Sequence, residues 1–224
     1  MRYEINVCDL FDVTRTRVAS LFEVVEKPWE AVGVLVAYLS SLGDMLPRTE
    51  FEQIAPRVWA ARDAKIAASA SLSGPCVIDH GAEVRHCAFI RGSVMVGKNA
   101  VVGNSTELKN ALLFDEVQVP HYNYVGDSIL GYKAHLGAGA ITSNVKSDKK
   151  QVVLRLGDEL LETGMRKLGA LVGDGTEVGC NSVLNPGTII GRGCIIYPTS
   201  SVRGYIPARH IYKDKDTIVP IQEA

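Results

Sequence analysis

Five histidines, at 80, 86, 121, 135 and 210, are the side chains of this chain that titrate closest to neutrality. An imidazole with an unperturbed pKa near ~6.5 can take a proton from an amine at neutral pH or bind a metal. A metal site needs three converging ligands and an open position. His80 and His86 are six residues apart, and the six-residue period described below puts them on different faces. His121 and His135 do not complete a cluster with them, so no metal site is expected. The five cysteines (Cys8, Cys76, Cys87, Cys180, Cys194) include no C-x-x-C pair and read as reduced thiols, with Cys76 and Cys194 as small core residues. Backbone N–H groups at a glycine-rich coil can stabilise an oxyanion. Acid–base chemistry at a carbonyl is therefore the chemistry these residues offer most directly.

The elements that must position them follow from a period of six. Stepping by six from Ile66 gives Leu72, Ile78, Val84, Ile90, Val96, Val102 and Leu108, all aliphatic. Two residues before each stands a small or short side chain, from Ala64 and Ala70 to Ala100 and Thr106. The pattern returns at Val172, Val178, Leu184, Ile190, Ile196 and Val202. Neither a 3.6 nor a 2 period explains it. A triangular prism does: each hexad forms one short strand and one corner, three hexads form a coil, and stacked coils bury a continuous aliphatic column. Between the runs, Leu113, Val119, Val125, Leu130 and Leu136 keep the aliphatic series with two spacings of five. Such departures mark places where a repeat has been altered, and function is one reason to alter it. The expected fold is an all-β solenoid, a left-handed parallel β-helix with a short helical N-terminal segment and a projecting hairpin insertion.

Residues 1–50 lack the hexad. Pro28 and the run from Trp29 to Leu42 predict a helix with proline at its start, Trp29 as packing anchor and Gly43 just past its end. This segment is expected to cap the first coil. The β-helix itself is expected over 51–207, interrupted at 144–168, where Val152-Val-Leu-Arg-Leu, Gly157-Asp158 and Glu159-Leu-Leu-Glu predict a hairpin. Residues 208–224, with Pro220 and Lys213-Asp-Lys-Asp, are expected to leave the prism as a tail. A net charge of −1 with 22% charged residues argues against a dedicated nucleic-acid binder. No apolar run reaches the ~18 residues of a membrane span, and the start lacks a signal-peptide core. A cytoplasmic protein is expected.

Longer motifs narrow the reading. Val102-Gly-Asn, Glu107-Leu-Lys-Asn, His121-Tyr-Asn-Tyr-Val-Gly-Asp, Leu136-Gly-Ala-Gly-Ala-Ile-Thr-Ser-Asn and Arg166-Lys-Leu-Gly-Ala resemble the acetyltransferase half of N-acetylglucosamine-1-phosphate uridyltransferases. They are more similar still to archaeal bifunctional sugar-1-phosphate nucleotidylyltransferase/acetyltransferases. Lys27-Pro-Trp-Glu resembles the segment that joins the two domains in such enzymes. The resemblance implies a homotrimer of parallel prisms with acetyl-CoA in the groove between neighbours, near Ala138 and Cys180. It implies His121 as general base and Asn144 near the acceptor amine. It implies Arg91, Lys109, Tyr124 and Lys150 around the sugar phosphate. Arginine and lysine suit a phosphate, arginine with a bidentate grip. Asp127 would orient His121 if the two met across a coil.

The chain departs from the bacterial pattern at His135 for asparagine, Val145 for tyrosine and Cys180 for serine. Residues 1–50 hold no G-x-G-T-R-M loop and are too few for a nucleotide-binding α/β domain, so uridyl transfer is not expected of them. Two functions follow. One is acetyl-CoA-dependent N-acetylation of an amino-sugar 1-phosphate, with glucosamine 1-phosphate first, in UDP-N-acetylglucosamine-type biosynthesis. The other is a non-catalytic, trimerising β-helix that partners a separate sugar nucleotidyltransferase. The joint presence of His121, Tyr124, Asn144 and Lys150 favours the first; His135 and Val145 favour the second.

Overall fold

In a computed structural model, which describes residues 5–156 and 159–222, the hexads wind into a left-handed parallel β-helix of about eight turns. The inward series is buried as the period requires. Ile78, Val84, Ile90, Val96, Val102 and Leu108 are at most 1% exposed, as are Leu184, Ile190 and Val202 in the second run. Ile66 and Leu72, in the first coil, are only partly buried. Corners fall at left-handed residues that recur with the same period: Gly81, Cys87, Ser93, Asn99 and Ser105 all have positive φ.

Three faces result. Face I carries the strands Val58–Ala61, Cys76–Ile78, Val94–Val96, Ala170–Val172, Thr188–Ile190 and Tyr205–Ile206. Face II includes Glu83–Val84, Val101–Asn104, Gln118–His121, His135–Leu136 and Glu177–Val178. Face III includes Phe89–Ile90, Ile141–Thr142, Val183–Leu184 and Ser201–Val202. The two spacings of five have a single cause. The strands Glu107–Leu113 and Tyr124–Leu130 run unbroken from face III to face I, pairing Leu108 with Val125 and Leu113 with Leu130. Each crosses that corner with one residue fewer, at Asn110 (φ 50°) and Asp127 (φ 48°). Asn and Asp tolerate this backbone better than other side chains.

The N-terminal segment corrects one expectation: it straps a flank and does not cap an end. Its first part runs along the corner between faces I and II against the stacking direction. The Asp12 N–H donates to Asp174 Oδ2 (2.7 Å), the Asp115 N–H donates to the Arg15 carbonyl (3.0 Å), and Arg17 forks onto buried Asp79 (2.7 and 2.8 Å). Phe11, Phe22 and Phe114 stack where the segment turns back, with centroids 5.3–6.1 Å apart. The helix α1 (Val7–Leu10) opens this arm. The helix α2 (Glu30–Met45) then lies over face I, against Cys76–Ile78, Val94–Val96 and the two long strands. Sixteen residues at ~1.5 Å match about five coils at ~4.8 Å. Trp29 anchors its start at 3% exposure. Gly43 is inside the helix, not past its end; the Trp59 indole packs against its bare Cα, where a Cβ would clash.

Face I is accordingly apolar on both sides. Its outward residues Val77, Met95, Leu112, Ile129, Leu171 and Ile189 are at most 1% exposed. The insertion forms an antiparallel hairpin, Val153–Leu156 with Glu159–Glu162. Its Gly157-Asp158 turn lies outside the described residues. The first strand buries Leu154 and Leu156 beside Tyr205–Ile206, while the second stands in solvent. The expected tail is also corrected. His210–Asp214 pairs in parallel with Ile195–Ile196 as a last strand of face II, and Thr217–Pro220 folds back on it antiparallel. At the other end, Phe51–Ala55 pairs antiparallel with Val58–Ala61. Among the described residues no helix is long and apolar enough to cross a membrane.

Candidate functional site

The corner between faces II and III carries His121. It ends the strand Gln118–His121 in register with Asn104 and is exposed. Its backbone N–H donates to Asn123 Oδ1 (3.1 Å), and Asn123 Nδ2 donates to the carbonyls of Gly137 (2.8 Å) and Ala140 (3.0 Å). Asn123 is 2% exposed and occupies the inward corner position that a small residue fills elsewhere. It staples the His121 turn to the next coil while the imidazole stays in solvent. The ladder continues along the corner: the Gly139 N–H donates to the His121 carbonyl (3.0 Å), Asn181 N–H to Ala138 (2.8 Å), and Thr199 N–H to Cys180 (2.8 Å). His121, Ala138 and Cys180 thus occupy one column on successive coils.

The corner between faces III and I gathers most of the other expected residues. Lys109 Nζ reaches both oxygens of Asp127, at 2.9 and 3.1 Å. Asn110 Nδ2 donates to Asp127 Oδ1 (2.8 Å) and is also within reach of the Val32 carbonyl in α2 (3.2 Å). Asn144 Nδ2 donates to Asp127 Oδ2 and faces the Tyr124 hydroxyl at 3.3 Å. The Asp127 side chain is only 4% exposed. Tyr124 lies flat over Gly126, where a Cβ would meet its ring. Burial, and then the charge of Asp127, push the Tyr124 phenol above its ordinary range, so it stays a neutral hydroxyl. Arg91, on the same corner, pairs with Glu107 at 2.7 Å.

The structure therefore joins Lys109, Tyr124 and Asn144 and sets Arg91 beside them. It does not bring His121 or Lys150 into that group. His121 is across face III from Gly126, beyond the left-handed corner at Tyr122 (φ 52°), a separation of ~15 Å for one prism face. Asp127 does not orient His121; both its oxygens are engaged at the other corner. Lys150 lines a separate cavity of about 470 Å³ with Lys146, Lys149 and Arg166, between the loop after Asn144 and the hairpin. His135 is on face II, paired with Glu177 at 2.7 Å. His80 contacts Asp63 and Glu50, and His86 contacts Ser69, on two different corners. Among the described residues no trio of metal-ligating side chains converges. Sequence reasoning missed Asn110, Glu107 and Asn123. Each is polar in a register where the repeat expects a small or variable residue, which is a usable signal.

Residues 72–156 match the GMPPB C-terminal domain, and residues 169–204 match the bacterial transferase hexapeptide, six repeats. The bifunctional protein GlmU of Methanococcus maripaludis strain C5 is 33% identical over 132 residues, 59% of this chain and 32% of that protein. The Methanocaldococcus jannaschii GlmU is 36% identical over 109 residues, 49% and 26% of the respective chains. A bifunctional sugar-1-phosphate nucleotidylyltransferase/acetyltransferase of Sulfurisphaera tokodaii is 34% identical over 110 residues, 49% of this chain and 27% of that protein. The chain thus matches only about a quarter to a third of the length of these relatives. Among solved structures, the polySia-specific acetyltransferase NeuO aligns at 11% identity and a TM-score of 0.48, over 70% of this chain and 80% of that one. The motifs along both edges of face III and the matched repeats lead to one conclusion: residues 72–156 and 169–204 are similar to those two families, and the chain is similar to a part of GlmU and of archaeal bifunctional sugar-1-phosphate nucleotidylyltransferase/acetyltransferases.

Proposed function

We propose that the chain is an acetyl-CoA-dependent N-acetyltransferase whose acceptor is an amino-sugar 1-phosphate, glucosamine 1-phosphate in the first instance. One observation supports the reading: face III is left uncovered by the described residues, and its two edges present different sets of polar side chains. One edge presents the exposed His121 imidazole in column with Ala138 and Cys180. The other presents Lys109, Tyr124 and Asn144. The ~15 Å between them exceeds the reach of one amine and its base, so a second copy must supply His121 to the Asn144 edge. Phe89 (41% exposed), Tyr122 and Tyr197 give that neighbour an apolar footing. A homotrimer of parallel prisms provides three such junctions, each with a groove for the co-substrate. The Sulfurisphaera tokodaii relative is a bifunctional nucleotidylyltransferase/acetyltransferase, which supports the same class of reaction here.

The acceptor amine arrives unprotonated. Its lone pair forms the C–N bond at the thioester carbonyl, and the carbonyl electrons move onto oxygen, where backbone N–H groups of the glycine-rich corner stabilise them. His121 takes one proton from the new ammonium. The C–S bond then breaks, and the thiolate leaves with that proton as CoA. Lys109 and Arg91 face the phosphate, and Lys150 with Lys149 adds charge from the adjoining loop.

One observation favours the alternative of a non-catalytic partner to a separate nucleotidyltransferase: Lys109 and Arg91 are already ion-paired, with Asp127 and Glu107. Thiol release from acetyl-CoA, measured with glucosamine 1-phosphate, galactosamine 1-phosphate and nucleotide-linked amino sugars, decides between them. Release with an amino-sugar phosphate is expected. No release with any acceptor, together with no CoA binding, removes the enzyme reading.

A further inference from the structure

Asp127 is a nearly sealed carboxylate at the corner where the repeat is one residue short, and its contacts are specific. It accepts from Lys109 Nζ, Asn110 Nδ2 and Asn144 Nδ2. Because a carboxylate only accepts, the amide atom of Asn144 that faces it must be the nitrogen. That nitrogen has two hydrogens. One goes to Asp127; the other is directed at the Tyr124 hydroxyl, 3.3 Å away. Asn144 is left with its carbonyl oxygen alone to offer a ligand.

From this geometry we infer that Asp127 is a positioning residue that fixes Asn144 as a hydrogen-bond acceptor, so that Asn144 Oδ1 holds an N–H of the acceptor amine and its amide group donates nothing to the thioester oxygen. The inference rests on the proposed acetyl transfer and deepens it, since it assigns the two ends of one amide. Before attack the amine has two N–H groups. Held by one on Asn144 Oδ1, it turns its lone pair toward the thioester carbon. After attack, a different N–H is free for His121. A donor at this place would instead hydrogen-bond the lone pair and suppress attack. Asp127 has a second effect through Lys109: two of the three ammonium hydrogens face the carboxylate oxygens, leaving one for a phosphate. The ion pair thus fixes where Lys109 points and lowers the local charge that draws the phosphate in.

The two effects predict an uncommon pattern for Asp127→Asn. The new amide offers a hydrogen to Asn144, which can then turn its own nitrogen outward, while the freed Lys109 charge attracts phosphate more strongly. The kcat is expected to fall at least tenfold, with KM for the sugar phosphate unchanged or lower. In an Asn144→Ala background the same substitution should change kcat less than threefold, because the residue it acts through is gone. A merely structural role would raise KM or lose the folded assembly, and its effect would persist in the Asn144→Ala background; either result overturns the inference. The Asn144 side-chain amide signal in a ¹⁵N–¹H spectrum, assigned by its loss in Asn144→Ala, gives a test independent of turnover. It should move on Asp127→Asn, and an unmoved signal defeats the inference. A wild-type chain that acetylates no amino-sugar phosphate defeats the functional reading alone; the amide signal then decides the arrangement at Asp127 without it.

Discussion

Face I and face III are built from the same hexads and have opposite fates. On face I the residue between two inward aliphatics is itself apolar, as in Val94-Met95-Val96, and the chain covers it with α2 and the hairpin. On face III the matching outward positions are Phe89, Glu107 and Tyr124, with no helix or hairpin of the described residues over them. One surface is buried within the chain and the other faces solvent. The comparison also explains the position of the shortened corner, which lies on the boundary between them. There Asn110 touches both the strap, at Val32, and the buried carboxylate of the candidate site.

The sharpest way to test the division is chemical. His121→Ala, at the far edge of the bare face, should lower kcat by about 10²–10⁴. CoA affinity and melting temperature should stay near wild type, because the imidazole is exposed. A loss of fold would mean that this edge is structural. Retained turnover would remove His121 as the base.

The next effect is one of stability. Leu112→Ala, under the strap, removes a side chain 1% exposed and should cost about 2–5 kcal/mol in denaturant unfolding. Phe89→Ala, at 41% exposure on the bare face, should cost the isolated chain about 1 kcal/mol or less, and should instead weaken self-association seen by light scattering. Equal costs at both positions would erase the distinction between the faces.

The smallest effect concerns pH at the strapped corner. Burial raises the Asp115 carboxyl above its ordinary 3.8. At neutral pH the group is ionised in both states, and the folded state bears the penalty. As pH falls through the raised value the folded chain takes up a proton first, so this contribution to stability grows on acidification and levels off below 3.8. Asp115→Asn should therefore stabilise the chain slightly at pH 7 and less at pH 4, read from unfolding midpoints at the two values.

Much of this was legible in the sequence, and the remainder has a physical reason. Period six predicts the inward column because each inward side chain is set by its own hexad. The two spacings of five predicted altered coils, and those coils carry Lys109, Asn110 and Asp127. The strap over face I was hidden because the reading followed one residue in six. The consecutive apolar triplets Cys76-Val77-Ile78 and Ala170-Leu171-Val172 were the signal of burial on both sides. Lys213-Asp-Lys-Asp has the composition of a solvated tail and masks the strand in residues 208–224, yet Tyr212 fills the inward place at 3% exposure. The partners of Asp127 come from the two coils that flank its own, 17 or 18 residues away, and no local pattern connects them.

The two terminal hairpins have a consequence for growth. A stack of parallel coils is in principle endless, and a second molecule could continue it by adding its own first coil to an open rim. Phe51–Ala55 at one rim and Thr217–Pro220 at the other each run the wrong way for that addition. Each ends one of the three ladders with a strand that a further coil cannot match. Addition of a parallel coil at these two strands is thereby obstructed.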